Sequence, residues 1–441
     1  MNSFPIKLKA FEEYFLHNRL GNNPALFTVK LGFNQPLQKN LVQQTHQIIC
    51  NRHPFSKCIV ESRAGQPVWV EKGISPVKWE ENSVSEASVS LDCRSITKEP
   101  GIRVFACTGV QETPSRGSLL FLVHHVAIDG IGMAQWLNDW LRCYRKLQNS
   151  SFDAASKKFP PLQVSLLRCQ PQVQFREWLR LLPAQWKSVR SAYRVMTRKV
   201  IPLSSSKIED GDSRPILLET EFDARTSTQL KQAANNNRVS LNTLLVRDLF
   251  IAVDAWQQKR NEEPDSPPGY VRMVIPINER DRAYRKQAAC NHCTMISLDR
   301  TRQDIDAPEE LLRTIDHELG VIRDWRLSLN CWRFLELFRR LPGGLEKRLN
   351  SSQVSATISF TNIGRFLPRL TTQKEADTGN QIGFDQIVIY PPLAHGLMGA
   401  FAAINFKNRL KISARLDSNF IAPASAQQLM MDFKNQLLSN L

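Results

Sequence analysis

No apolar run in the 441-residue chain reaches the roughly 18 residues that a membrane-crossing helix needs. The N-terminus, Met1-Asn2-Ser3-Phe4-Pro5-Ile6-Lys7, lacks the apolar core of a secretory signal, which predicts a cytoplasmic protein. No second cysteine pair accompanies Cys290-Asn291-His292-Cys293, so the ligand set of a structural zinc site is missing and no metal is expected. That isolated CxxC is read as coincidence, and the nine scattered cysteines as reduced thiols. Acidic residues are in short supply: 42 Asp and Glu face 58 Lys and Arg, giving a net charge of +16. Such a surplus suits nucleic acid, an anionic membrane surface or a phosphorylated substrate. Zinc-finger spacing, an RNP-like aromatic motif and a low-complexity basic tail are all absent, which argues against nucleic acid.

What is present is the composition of a globular protein, 42% hydrophobic and 23% charged, at a length that suits two domains of around 200 residues. Helices are predicted near 8–17, 37–51, 227–236 and 242–257, and strands at 25–32, 68–70, 104–107, 216–222, 271–276, 355–360 and 386–390. A closing hairpin is predicted over 401–414 around Lys407-Asn408-Arg409. Residues 149–161 read as a loop. The segment 203–215, rich in Ser, Asp, Gly and Pro, reads as a linker between an N-terminal lobe, 1–202, and a C-terminal lobe, 216–441.

Residues 118–123 (SLLFLV) form the continuous apolar run of a buried strand and lead directly into His124-His125-Val126-Ala127-Ile128-Asp129-Gly130. A helix opens at Gly132, with Met133, Trp136, Leu137, Trp140, Leu141 and Tyr144 on one face and Asn138, Asp139, Arg142 and Arg145 on the other. The histidine pair therefore sits on a turn held by rigid flanks. Histidine takes a proton near neutral pH, as acyl transfer to a hydroxyl or amine requires. Asp129, four residues on, can fold back beneath the loop, and Gly130 permits a sharp turn. The same residues also fit a purely structural strand end with an Asx-type turn.

The run resembles the H-H-x-x-x-D-G signature of the superfamily of nonribosomal condensation domains, stand-alone polyketide-associated acyltransferases and wax-ester synthases. Other segments resemble it in the same order: 11–16 (FEEYFL), Arg52-His53-Pro54, 276–282 (PINERDR) and 359–364 (SFTNIG). Together they cover nearly the whole chain. The resemblance implies an α/β fold of two related, chloramphenicol-acetyltransferase-like lobes, with mixed sheets flanked by helices and an active-site tunnel at the lobe interface. It implies His125 as general base, His124 as a mainly structural partner, and a salt bridge from Asp129 to Arg280 that joins the lobes. Gly130 would leave room for a pantetheine arm or donate its N–H to the thioester oxygen. Tyr14, Asn362, Gly364 and His395 are carried as substrate-binding candidates. No permanent cofactor is implied; the co-substrate would be acyl-CoA or a phosphopantetheinyl carrier protein, and the acceptor a hydroxyl or amine.

Two departures stand out. Phe360 and Thr361 separate Ser359 from Asn362 where the family has S-N-x-G, and Gly383-Phe384-Asp385-Gln386 does not match the D-F-G-W-G of the plant branch. No carrier-protein or adenylation module flanks the motif, which points away from an assembly-line role in cis. The stretch 168–199 carries eight basic residues, one acid and interleaved aromatics including Trp178 and Trp186, and 323–348 has similar chemistry. Either these helices pack on their own lobes, or they lie on an anionic membrane and favour a lipid acceptor. Three functions compete: acyl transfer, free-standing amide condensation on carrier-bound substrates, and an inactive relative that binds a carrier or a membrane.

Overall fold

A computed structural model describes residues 4–18, 25–80, 95–107, 117–164, 193–194, 197–204, 214–260, 269–280, 287–349, 355–367 and 383–441. The chain divides into two compact units that interleave along the sequence. One takes Met1–Pro171, Asn278–Cys293 and Arg365–Pro392; the other takes Gln172–Ile277, Thr294–Gly364 and Leu393–Leu441. The units are therefore not the two halves on either side of 203–215, because two segments beyond it return to the first unit.

The first unit contains β1 (Ile6–Lys7), α1 (Ala10–His17), β2 (Leu26–Phe33), α2 (Lys39–Arg52), β3 (Cys58–Arg63), β4 (Gln66–Glu71), β5 (Lys78–Glu80), β6 (Ile102–Cys107) and β7 (Ser118–His124), then α3 (Gly130–Leu147) and α4 (Phe152–Lys158). Strand β7 is the middle of a five-stranded sheet that it forms with β2, β5, β6 and the later strand Phe384–Tyr390. It is buried at every residue, which is why its sequence is continuously apolar rather than alternating. Its antiparallel register on β2 sets His124 opposite Leu26, so His125 lies just past the C-terminal end of the strand.

Helix α3 buries Met133, Trp136, Leu137, Trp140, Leu141 and Tyr144, the predicted stripe. Phe121 of β7 meets Trp136 edge to face at 5.6 Å, which ties the helix to the strand that carries the motif. Asp139, expected on the solvated face, is buried instead. Residues 152–158, expected as loop, form α4. Ser151 caps it, accepting from Ala154 N–H, and Ala155 is its single buried residue, so no apolar stripe announces it.

The second unit is built on a six-stranded sheet of Ile216–Glu221, Val271–Asn278, Cys293–Arg300, Ile358–Arg365, Gly399–Phe406 and Arg409–Leu416. Its last two strands are the predicted hairpin, turning at Lys407 and Asn408 with φ of 50° and 62°, the primed turn that matches strand twist. Both sheets mix parallel and antiparallel pairs. Helices Leu241–Arg260, Pro308–Asp324 and Pro423–Leu438 contribute to the core that packs on this sheet.

No helix among the described residues is long and apolar enough to cross a membrane. Of the stretch 168–199, only 193–194 and 197–199 are described, so Trp178 and Trp186 lie outside the described residues. The second basic stretch forms a helix, Leu329–Arg340, whose buried residues are Leu329 and Leu335.

Candidate active site

The site is built where β7 ends and α3 begins. His124 is buried; its backbone N–H donates to Gly101 and its Nδ1 accepts from Val126 N–H at 3.3 Å. Burial, reinforced by the charge of Arg103, holds its pKa well below the ordinary histidine value. It is a neutral structural ring inside the turn.

His125 is half-buried. Its backbone N–H donates to the Ala25 carbonyl at 2.8 Å. Phe15 of α1 stacks on its ring, centroids 3.9 Å apart and planes 17° apart, and Phe27 of β2 meets it edge-on at 5.4 Å. Nδ1 is enclosed by protein. Burial lowers the pKa, opposed by the Asp129 charge and by the His125 carbonyl and Asn291 side chain. The ring is thus neutral near pH 7, the state in which it can accept a proton.

Asp129 caps α3: its Oδ1 accepts from Gly132 N–H at 2.7 Å. Its Oδ2 accepts from Arg280 Nη1 at 2.8 Å and from His292 N–H at 2.7 Å. Burial pushes this carboxyl up, but Arg280 and the N–H donors outweigh it and hold it below the usual range. All three bonds spend the carboxylate on holding the loop. The Asp129–Arg280 pair is present, but both residues belong to the first unit, so it does not join the lobes as expected.

Gly130 opens α3 without a positive φ. The demand for glycine falls on Gly132, where a Cβ would lie 2.7 Å from the Cys290 carbonyl oxygen and 2.7 Å from Ile128 Cγ1.

The segment that leads into Cys290-Asn291-His292 bonds to the motif loop and its supports. Residues 287–292 run as an extended strap bonded at each residue: Gln287 O to Gln135 Nε2 (2.7 Å), Ala288 N to Gln163 O (2.9 Å), Ala289 N to His53 Nδ1 (3.0 Å), Cys290 O to Arg280 Nη2 (2.5 Å), Asn291 Nδ2 to the carbonyls of His125 and Val126 (2.8 Å for the latter), and His292 N to Asp129. Asn291 was missed because nothing in its local spacing suggests a ligand or a base. Its place shortly after the 276–282 segment was the available signal.

The remaining candidates are placed as follows within their own units. Tyr14 stacks on Phe11 at 5.7 Å, and it is the next residue, Phe15, that reaches His125. Asn362 and Gly364 lie in the strand Ile358–Arg365 of the second unit, where Asn362 Oδ1 accepts from Gly364 N–H at 2.9 Å and Gly364 takes a φ of 73°. His395, also in the second unit, uses its carbonyl to accept from the Ser355 hydroxyl. Asp281 and Arg282 lie outside the described residues.

No family model matches the chain. Over 193 residues, 41% of the chain, it is 25% identical to chondramide synthase of Chondromyces crocatus, of whose length the match spans 5%. Solved structures resemble it over nearly its whole length. The trichothecene 15-O-acetyltransferase of Fusarium sporotrichioides superposes with a TM-score of 0.71 at 12% identity, covering 99% of this chain and 95% of that one. Polyketide synthase associated protein 5 of Mycobacterium tuberculosis gives 0.63 at 13%, covering 99% of both chains. The epimerization domain from the third module of tyrocidine synthetase B gives 0.61 at 13%, covering 99% and 97%. The chain has the α/β fold of these solved structures over nearly its whole length.

Proposed function

We propose that the protein is an acyltransferase in which His125 is the general base, taking its acyl group from a phosphopantetheine thioester, acyl-CoA or an acyl carrier protein. The observation that carries the reading is the state of His125: a neutral, half-buried ring, stacked on Phe15, in a loop whose carbonyls Asn291 holds. A base so placed removes the proton from an acceptor hydroxyl or amine as that atom attacks the thioester carbonyl. The carbonyl oxygen takes the negative charge, and first-turn N–H groups of α3 such as Gly130, which have no intrahelical acceptor, are suited to receive it. Collapse breaks the carbon–sulfur bond, and the protonated imidazole returns the proton to the leaving thiolate. Asp129 moves no proton; it keeps the loop in place.

The match to a synthase favours a second reading, free-standing amide formation between carrier-bound substrates. A lipid acceptor met at an anionic surface, suggested by the +16 charge, is a narrower form of the first reading. Thiol release from acyl-CoA and from acyl carrier protein, each with alcohol and amine acceptors, tests both. His125→Ala is expected to lower transfer by about 10²- to 10⁴-fold while the fold survives, because it removes the base and little of the core. Near-normal turnover by the folded variant rejects the assignment.

A further inference from the structure

We propose that His53 is a positioning residue for the His125 loop, acting through the strap 287–292; the proposal rests on reading His125 as the base. His53 belongs to the first unit and is fully buried at the C-terminus of α2. Its Nδ1 accepts the backbone N–H of Ala289, so the ring's proton must sit on Nε2. Nε2 faces Asp139 Oδ2 at 3.4 Å, and Arg52 Nε holds the same oxygen at 2.6 Å. The negative charge of Asp139 beside Nε2 therefore favours the tautomer that offers Nδ1 to the strap. This also explains why a carboxylate stands on the buried side of α3.

Ala289 is two residues before Asn291, whose side chain holds the His125 and Val126 carbonyls, and three before His292, whose N–H reaches Asp129. Among the strap's bonds, the one at Ala289 alone needs a particular tautomer of a neutral ring. Losing it would free the strap just upstream of the residue that sets the height of the base. A misplacement of about 1 Å in a reacting geometry can cost about 10²-fold in rate.

Two substitutions separate positioning from core packing. His53→Asn places an amide oxygen near the Nδ1 position and keeps an acceptor for Ala289. His53→Gln reaches Asp139 but offers no acceptor at that position. Amide hydrogen exchange of the peptide covering 287–292 reads the strap without reference to turnover. The expected result is exchange accelerated about tenfold or more in His53→Gln and near wild type in His53→Asn. In parallel, kcat should fall about 10- to 100-fold in His53→Gln, with KM within about twofold, and recover in His53→Asn.

Unchanged exchange in His53→Gln overturns the proposal. So does a pair of variants that lose thermal stability equally yet keep wild-type kcat, since that is packing alone. If His53→Gln does not fold, Asp139→Leu, which removes the acceptor facing Nε2 at similar volume, should loosen the same peptide, and its failure to do so overturns the idea. A wild type that transfers no acyl group from any donor rejects the acyltransferase reading, while the exchange comparison still decides the strap.

Discussion

At the scale of single residues, the site depends on positions where side-chain size or polarity has no tolerance. Gly132 is the clearest. In an unobstructed helix, replacing glycine by alanine gains about 1 kcal/mol. Here the new Cβ would meet the Cys290 carbonyl, itself held by Arg280, so the neighbour cannot yield cheaply. Overpacking of this kind costs about 1–3 kcal/mol or more. Gly132→Ala is therefore expected to lower the urea midpoint and the transfer rate together. Gly320, in the helix Pro308–Asp324, has only Arg323 Nη2 near its Cβ position, at 3.9 Å. Gly320→Ala should raise the free energy of unfolding by up to about 1 kcal/mol, and the midpoint with it. Opposite signs from one substitution in two helices would locate the constraint in the strap contact rather than in propensity.

At the scale of elements, what could be read from sequence follows from how much each element depends on its own residues. Strand β7 and helix α3 were legible because burial of a middle strand writes a continuous apolar run and burial of one helix face writes a 3.6-residue stripe. Helix α4 was not, because it buries only Ala155 and rests on the Ser151 cap. The strap was illegible for a deeper reason. It has no regular structure, its bonds run mainly through the backbone, and its partners lie up to 236 residues away. His125, Asp129 and Arg280 could be singled out because their side-chain chemistry and the motif resemblance mark them; Asn291, Gly132 and Phe15 make their contacts with the loop in ways that no local pattern encodes.

The Asp129–Arg280 pair connects the N-terminus of α3 to the segment after the strand Val271–Asn278. Breaking a buried pair from one side costs roughly 3–5 kcal/mol, so Asp129→Asn and Arg280→Ala should each be strongly destabilising. Asp129→Asn should be the worse, because the new amide would set a donor against N–H groups of Gly132 or His292. The double change should cost less than the sum, with a coupling of about 0.5–3 kcal/mol in denaturant unfolding. Strict additivity would mean the two charges do not interact.

At the scale of the whole molecule, the buried titratable groups divide by unit, and with opposite signs. In the first unit, burial lowers the pKa of His46 to about 4 and also depresses those of His53, His124 and His125. A histidine whose folded pKa lies below its unfolded value of 6.5 binds its proton more readily when unfolded. Its contribution to stability is complete above pH 6.5 and is lost as pH falls toward the folded pKa. For His46 alone, a drop from 6.5 to about 4 corresponds to about 3 kcal/mol. In the second unit, burial raises Asp248 from 3.8 to about 6, and Asp254 shifts the same way. A carboxyl with a raised folded pKa gains stability as pH falls through 6 toward 3.8, by about 3 kcal/mol for Asp248. The two units are thus expected to respond to acid in opposite directions. Between pH 6.5 and 4.5 the five-stranded sheet around β7 should lose amide-exchange protection, corrected for the intrinsic pH dependence of exchange, while the six-stranded sheet holds or gains. His46→Gln should flatten the loss in the first unit and leave the second unchanged. Equal loss of protection in both sheets would mean that the buried histidines do not govern the acid response.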